Sequence, residues 1–128
     1  MSKDNWPSLS GIEDAAEFIS QWMQPTPLVR SELLSRAFDA DVWLKNETVT
    51  PIASFKLRGA LNAARQAKEA GRAAVVTSST GNHGQGVAWA ARALGLRADI
   101  FLPRPANPVK AQMIEAFGGT LHEVEDTF

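Results

Sequence analysis

The second half of the chain alternates between two kinds of segment, and that alternation limits the fold more than any other feature. AAVVT at 73–77, ADIFLP at 98–103 and TLHEVE at 120–125 are short, apolar or β-branched runs. SFKLRGALNAARQAKEAG reads as a helix over about 54–70, QGVAWAARALG as part of a helix over 84–95, and PVKAQMIEAF as a third. Ser54 is a natural cap for the first helix and Gly71 a natural stop. Pro108 falls in a first turn, where proline is tolerated. Short strands separated by helices of about ten residues or more imply parallel βαβ units with right-handed crossovers.

The first half is less regular. GIEDAAEFISQWM carries one apolar helical face, and PTP at 25–27 ends it. SELLSRAF at 31–38 suits a short helix, and DVWLKNE at 41–47 has the composition of a strand. TVTPIA at 48–53 is a connection, because Pro51 breaks a strand. No internal repeat or low-complexity run is present.

Bulk properties remove several function classes. The chain has 128 residues, the size of one ordinary domain, with 45% hydrophobic and 21% charged residues. Net charge is −1 with the basic residues scattered, which gives no reason to expect nucleic acid or an anionic membrane as partner. There is no cysteine, so disulfides, thiolate catalysis and thiolate metal sites are excluded. The acidic residues form no metal-like cluster, so no metal is expected. MSKDNWPSLSG has no apolar core of a secretory signal. The expectation is a soluble, cytoplasmic protein.

SSTGNHG follows the first buried run and opens a helix, and open α/β sheets bind ligands at the carboxyl ends of their strands. Helix N-termini offer unpaired N–H groups and a partial positive charge. Glycines 81, 84 and 86 would let the backbone approach a ligand, with Ser78, Ser79, Thr80 and Asn82 adding hydrogen-bonding groups. A carboxylate or phosphate suits such a loop; so does a plain strand-to-helix turn with a polar cap. G-N-H-G-Q-G does not match the dinucleotide fingerprint and lacks the lysine of a phosphate-cradling loop.

Lys56 lies in the first turn of a helix, where the dipole favours acids and disfavours cations. Lysines there usually face water. A cation so placed is also easier to deprotonate, and a neutral amine is what attack on an aldehyde or abstraction of a carbon-bound proton needs.

SFKLRGA followed by SSTGNHGQGVA resembles the pyridoxal-phosphate (PLP) enzymes of fold type II, the tryptophan synthase β-like family. The threonine/serine dehydratases are the most similar subgroup, with serine racemase close by. PTPL at 25–28 and VWLKNE at 42–47 extend the likeness over about residues 22–126. The resemblance implies that 54–128 form most of a parallel-sheet βαβ small domain, preceded by a segment 1–53 of helices and a strand belonging to a large domain. The remainder of that large domain is expected to be absent.

The resemblance also implies roles. Lys56 would carry PLP covalently and take the α-proton of the substrate. Phe55 would lie against the cofactor ring, and Asn82 would bind its phenolic oxygen. Ser79, Thr80, Gly81, Asn82 and His83 would hold the substrate carboxylate, whereas Arg58 and Gly59 would be structural. The expected reaction is β-elimination from a small hydroxy amino acid, giving a 2-oxo acid and ammonia, in a homo-oligomer (dimer or tetramer) at full length. Relatives acting as serine racemases, threonine synthases or 3-hydroxyaspartate lyases are alternatives, as is a non-catalytic remnant.

Three departures stand out. Dehydratases of this kind carry glutamine-proline-threonine-glycine ahead of S-F-K; here Thr50, Pro51, Ile52 and Ala53 stand there. Thr80 occupies a position that is often alanine, and that in serine racemase is a serine acting as second acid/base. The glycine-rich phosphate loop of the family is not in this sequence, and Gly118-Gly119 reads as a helix stop. The 128 residues alone are therefore expected to bind PLP weakly and to show negligible activity. His122 is expected at or near the surface. The tryptophans at 6, 22, 43 and 89 are expected in core or interface positions rather than as a stacking platform.

Overall fold

A computed structural model describes residues 6–125. Its elements alternate as the sequence implies: α1 (Leu9–Ser20), β1 (Leu28–Arg30), α2 (Glu32–Phe38), β2 (Trp43–Lys45), a 3₁₀ turn (Glu47–Val49), α3 (Lys56–Glu69), β3 (Ala74–Ser78), α4 (Asn82–Leu94), β4 (Arg97–Pro103), α5 (Pro108–Ala116) and β5 (Thr120–Val124). β3, β4 and β5 form a parallel sheet in that order. β1 and β2 form a separate antiparallel ribbon, with Leu28 opposite Lys45.

Local chemistry explains the helix ends. Ser8 Oγ accepts from the Gly11 N–H and caps α1, which therefore begins three residues earlier than its apolar face indicates. Asn107 Oδ1 accepts from the N–H groups of Val109 and Lys110, with Pro108 in the first turn of α5. Gly95 closes α4 in the left-handed conformation at φ 73°, which glycine adopts without steric cost.

The strand pattern sorts the sheet into two faces. Ala98, Ile100 and Leu102 of β4 are buried, and they pack with Ala88 and Ala91 of α4 and Ile114 of α5. Asp99, Phe101 and Pro103 point the other way and are half-buried. There Phe101 stacks on His122 at 4.7 Å between centroids. His122 Nε2 meets Asp99 Oδ1 at 2.9 Å.

A second core cluster joins α1, α3 and α4. Leu57, Leu61 and Ala64 of α3 are buried with Ile19 of α1, Ile52, and Ala90 and Leu94 of α4. Ile19 and Ile52, from the segment before residue 54, are thus in the same apolar contact as α3. Trp22 meets Trp89 edge-on at 6.4 Å between centroids and belongs to this cluster. Trp6 and Trp43 are exposed, so of the four tryptophans Trp22 and Trp89 are the two packed against the core. The exposed pair lies on the first helix's approach and on the β1–β2 ribbon, where no described element covers it. Burying the side chains of Leu57 and Leu61 is worth on the order of 2 kcal/mol each. Among the described residues no helix is long and apolar enough to cross a membrane.

Candidate functional site

Lys56 is the first residue of α3, and its backbone N–H donates to Ser54 Oγ at 3.3 Å. Ser54 thus satisfies the first N–H of the helix, the service expected of it, although Phe55 stands at the cap position itself. The Lys56 side chain is exposed, and its Nζ sits 5.3 Å from the centroid of the Phe55 ring. Phe55 is itself 61% exposed, an unusual state for a large apolar side chain beside a core helix.

The approach to Lys56 is held tightly. Thr50 Oγ1 accepts from the Ser54 N–H at 2.9 Å and donates to the Ser54 carbonyl at 3.0 Å, both buried. Ala53 stands at φ 51°, a region that favours glycine. One of the three residues that depart from the dehydratase pattern, Ala53, therefore occupies the strained position of the turn, and the cost is on the order of 1 kcal/mol.

Arg58, two residues beyond Lys56, is clamped to the N-terminal segment. Its Nε donates to Glu47 Oε2 at 2.9 Å, and its Nη2 donates to Glu47 Oε1 at 2.9 Å and to Thr26 Oγ1 at 3.1 Å. Thr26 Oγ1 in turn donates to Glu47 Oε1 at 2.6 Å. The Arg58 guanidinium, through these hydrogen bonds, holds the Glu47 carboxyl below the ordinary carboxylate value, against the opposing effect of burial. The structural role expected for Arg58 has its physical basis here. Glu47 and Thr26 were not legible as its partners, because neither lies within a helical turn of it in sequence.

The second stretch begins at the carboxyl end of β3. α4 starts at Asn82, two residues before the predicted helix. Asn82 and His83 thus belong to its first turn rather than to a loop. The early start has a visible cause: Ser79 Oγ accepts from the N–H groups of both Gly81 (3.2 Å) and Gly84 (3.0 Å). The Ser79 oxygen is turned into the loop, while Thr80, Asn82 and His83 are exposed.

The glycines divide between two tasks. A Cβ at Gly84 would meet Ile100 and Ile114 at 3.1 and 3.2 Å. One at Gly86 would meet Ile52 at 3.3 Å and Ala60 and the Lys56 carbonyl at 3.4 Å. Both residues are buried. They are glycines because α4 packs closely on the sheet, on α5 and on the start of α3, which corrects the expectation that they admit a ligand. Gly86 has a further result: as the fifth residue of α4, it brings the N-terminal half of that helix against the backbone of Lys56. The two motifs, separated in sequence, share one end of the molecule.

Beside this junction a cleft of about 210 Å³ runs between Ala60, Ala64, Val75 and Val76, with His83 on its wall. A larger surface cleft of about 350 Å³ is lined by Arg30, Glu32, Arg36 and Asp41 and contains none of the motif residues. Close packing accounts for Gly119: a Cβ there would meet Ile114 Cγ2 at 2.8 Å and Ala88 at 3.0 Å. Among the described residues no group of three or more His, Asp or Glu is placed to hold a metal ion.

The chain is similar to known proteins over most of its length. The chain is 38% identical over 114 residues to the serine racemase of Schizosaccharomyces pombe, covering 88% of this chain and 35% of that protein. It is 40% identical over 125 residues to the biosynthetic L-threonine dehydratase of Staphylococcus saprophyticus, covering 94% of this chain and 30% of that one. The crystal structure of the T.th. threonine deaminase superimposes with a TM-score of 0.81 at 34% identity, covering 94% of this chain and 38% of that structure. The chain thus spans about a third of the length of these proteins. The family model described as pyridoxal-phosphate dependent enzyme matches residues 19–128. With nearly the whole chain inside that match, and both motifs meeting at one end of the fold, the chain belongs to the pyridoxal-phosphate dependent enzyme family.

Proposed function

We propose that this chain supplies the lysine and carboxylate-binding part of a PLP-dependent ammonia-lyase acting on small hydroxy amino acids of the threonine and serine type. The observation that carries the reading is the close packing of the N-terminal half of α4, at Gly86, on the backbone of Lys56. That contact holds the backbone bearing the Lys56 amine near the start of α4, an end that favours anions, and so supports the reading.

The residues present suit the cofactor's ring. Lys56 offers an exposed amine, Phe55 an exposed flat face 5.3 Å from it, and Asn82 an exposed amide at the start of α4. When bound, PLP supplies an electron sink that stabilises negative charge at the substrate α-carbon. Lys56 would hold the cofactor through its exposed side-chain amine, and the same amine would serve as the base for the substrate α-proton. The first turn of α4 and the exposed Thr80 and Asn82 side chains would orient the substrate carboxylate. Loss of the β-hydroxyl and hydrolysis leave a 2-oxo acid and ammonia.

The racemase relative favours a second reading, in which the exposed Thr80 hydroxyl exchanges a proton on the opposite face. Incubation with PLP, borohydride reduction and peptide mapping test the main reading. The expected result is modification at Lys56 that disappears in Lys56→Ala. A folded sample left unmodified at Lys56 refutes it and favours a non-catalytic remnant. Formation of D-serine from L-serine would select the second reading.

A further inference from the structure

Lys110 belongs to α5, yet its side chain reaches α4. Its Nζ lies 3.3 Å from the place a Cβ would take at Gly81, the residue before the first turn of α4. The side chain is half-buried. Among the described residues it makes no ion pair.

The placement is electrostatically unfavourable as it stands. Lys110 is in the first turn of its own helix, where the dipole disfavours a cation, and its ammonium rests at the positive end of a second helix. Two helix N-termini and one ammonium therefore gather at the carboxyl ends of β3 and β4, the side where open α/β sheets take ligands. An anion in contact with all three removes the surplus charge. Gly81 leaves the ammonium its room, since a side chain there would crowd it.

We propose that Lys110 is the cation of the carboxylate subsite: its ammonium closes the 79–83 loop from the α5 side and pairs with the α-carboxylate of the amino-acid substrate. The proposal rests on the reading of that loop as the carboxylate site. Lys110 would be a specificity-determining residue, favouring amino acids with a free carboxylate over their alcohols or amides.

The test is amide NMR of the ¹⁵N-labelled chain titrated with L-threonine and, separately, with L-threoninol, which lacks the carboxylate. In the native chain, L-threonine should shift the amides of residues 79–84, and L-threoninol should not. Lys110→Met should weaken L-threonine binding by at least about fivefold, the scale of one charge-assisted hydrogen bond at a partly exposed site. Lys110→Arg should restore most of it. Raising the salt should weaken binding to the native chain but leave Lys110→Met nearly unchanged. Lys110→Gln, neutral and similar in length, serves if the methionine variant does not fold. Native-like, salt-sensitive binding by the neutral variant, with the loop amides still shifting, would overturn the role of Lys110 and leave the carboxylate site standing. No shift of the 79–84 amides in the native chain would overturn the carboxylate reading, and this proposal with it.

Discussion

Replacing Glu47 by glutamine separates shape from charge at the clamp that ties α3 to the N-terminal segment. The carboxylate accepts from Thr26 Oγ1 at 2.6 Å and from two Arg58 nitrogens at 2.9 Å. Glutamine keeps one acceptor oxygen and puts an NH₂ group against a donor, so one hydrogen bond is lost, the Thr26 bond becomes neutral, and the remaining Arg58 bond keeps charge on the guanidinium alone. Hydrogen bonds to charged groups contribute about 1.5–3 kcal/mol each, and neutral ones about 0.5–1.5. The gross loss is then about 2–4 kcal/mol. The Arg58 side chain is 34% exposed, so water recovers part of this, and about 1.5–2.5 kcal/mol remains. Urea unfolding of Glu47→Gln, Arg58→Met and the double variant should give a coupling of about 1–2 kcal/mol. Additivity within about 0.5 kcal/mol would refute the argument.

The pH dependence has a definite sign. The Glu47 carboxyl titrates lower in the folded state than its ordinary 4.5. Its contribution is complete above that value and is lost as the pH falls through the lower folded value. The gap between native chain and Glu47→Gln should therefore close in acid. Because Arg58 follows Lys56 by two residues, amide exchange over the first turn of α3 should quicken in the variant.

Two further perturbations follow from the same structure. Gly59→Ala in α3 meets nothing within 4 Å and should stabilise by about 0.5–1 kcal/mol, whereas Gly119→Ala meets Ile114 at 2.8 Å and should destabilise by about 1–3 kcal/mol; thermal melts that fail to move in opposite directions would contradict the packing account. Asp99 is held below the ordinary carboxylate range by the hydrogen bond from His122 and then by Arg97, so Asp99→Asn should be less stable than the native chain at neutral pH, with the difference shrinking as the pH falls below 3.8.

The parallel core was legible because its punctuation is local. Gly71, Gly95 and Pro108 mark helix ends by backbone chemistry that needs no partner, and the apolar runs at 73–77 and 98–103 are too short for helices. β1 was not legible: Leu28–Arg30 is three residues long, and only pairing with Trp43–Lys45 makes it a strand. The start of α4 was misplaced because Asn82 and His83 read as loop residues beside glycines, while the cap that starts the helix comes from Ser79. The glycines at 84 and 86 were credited to a ligand because sequence alone does not show which helix lies behind them. The Glu47–Arg58 pair and the approach of Lys110 to Gly81 depend on how distant segments meet, and no spacing rule reports that.

The Ser79 hydroxyl has a consequence for binding. By accepting from two backbone N–H groups it fixes residues 79–84 in their bent shape while the chain folds. The entropy of ordering that loop is then lost once, at folding, and does not recur with each encounter. A loop of this kind is preorganised: under the proposed reading, an anion at Thr80, Asn82 and His83 would meet a loop already shaped, and affinity would reflect contact rather than rearrangement.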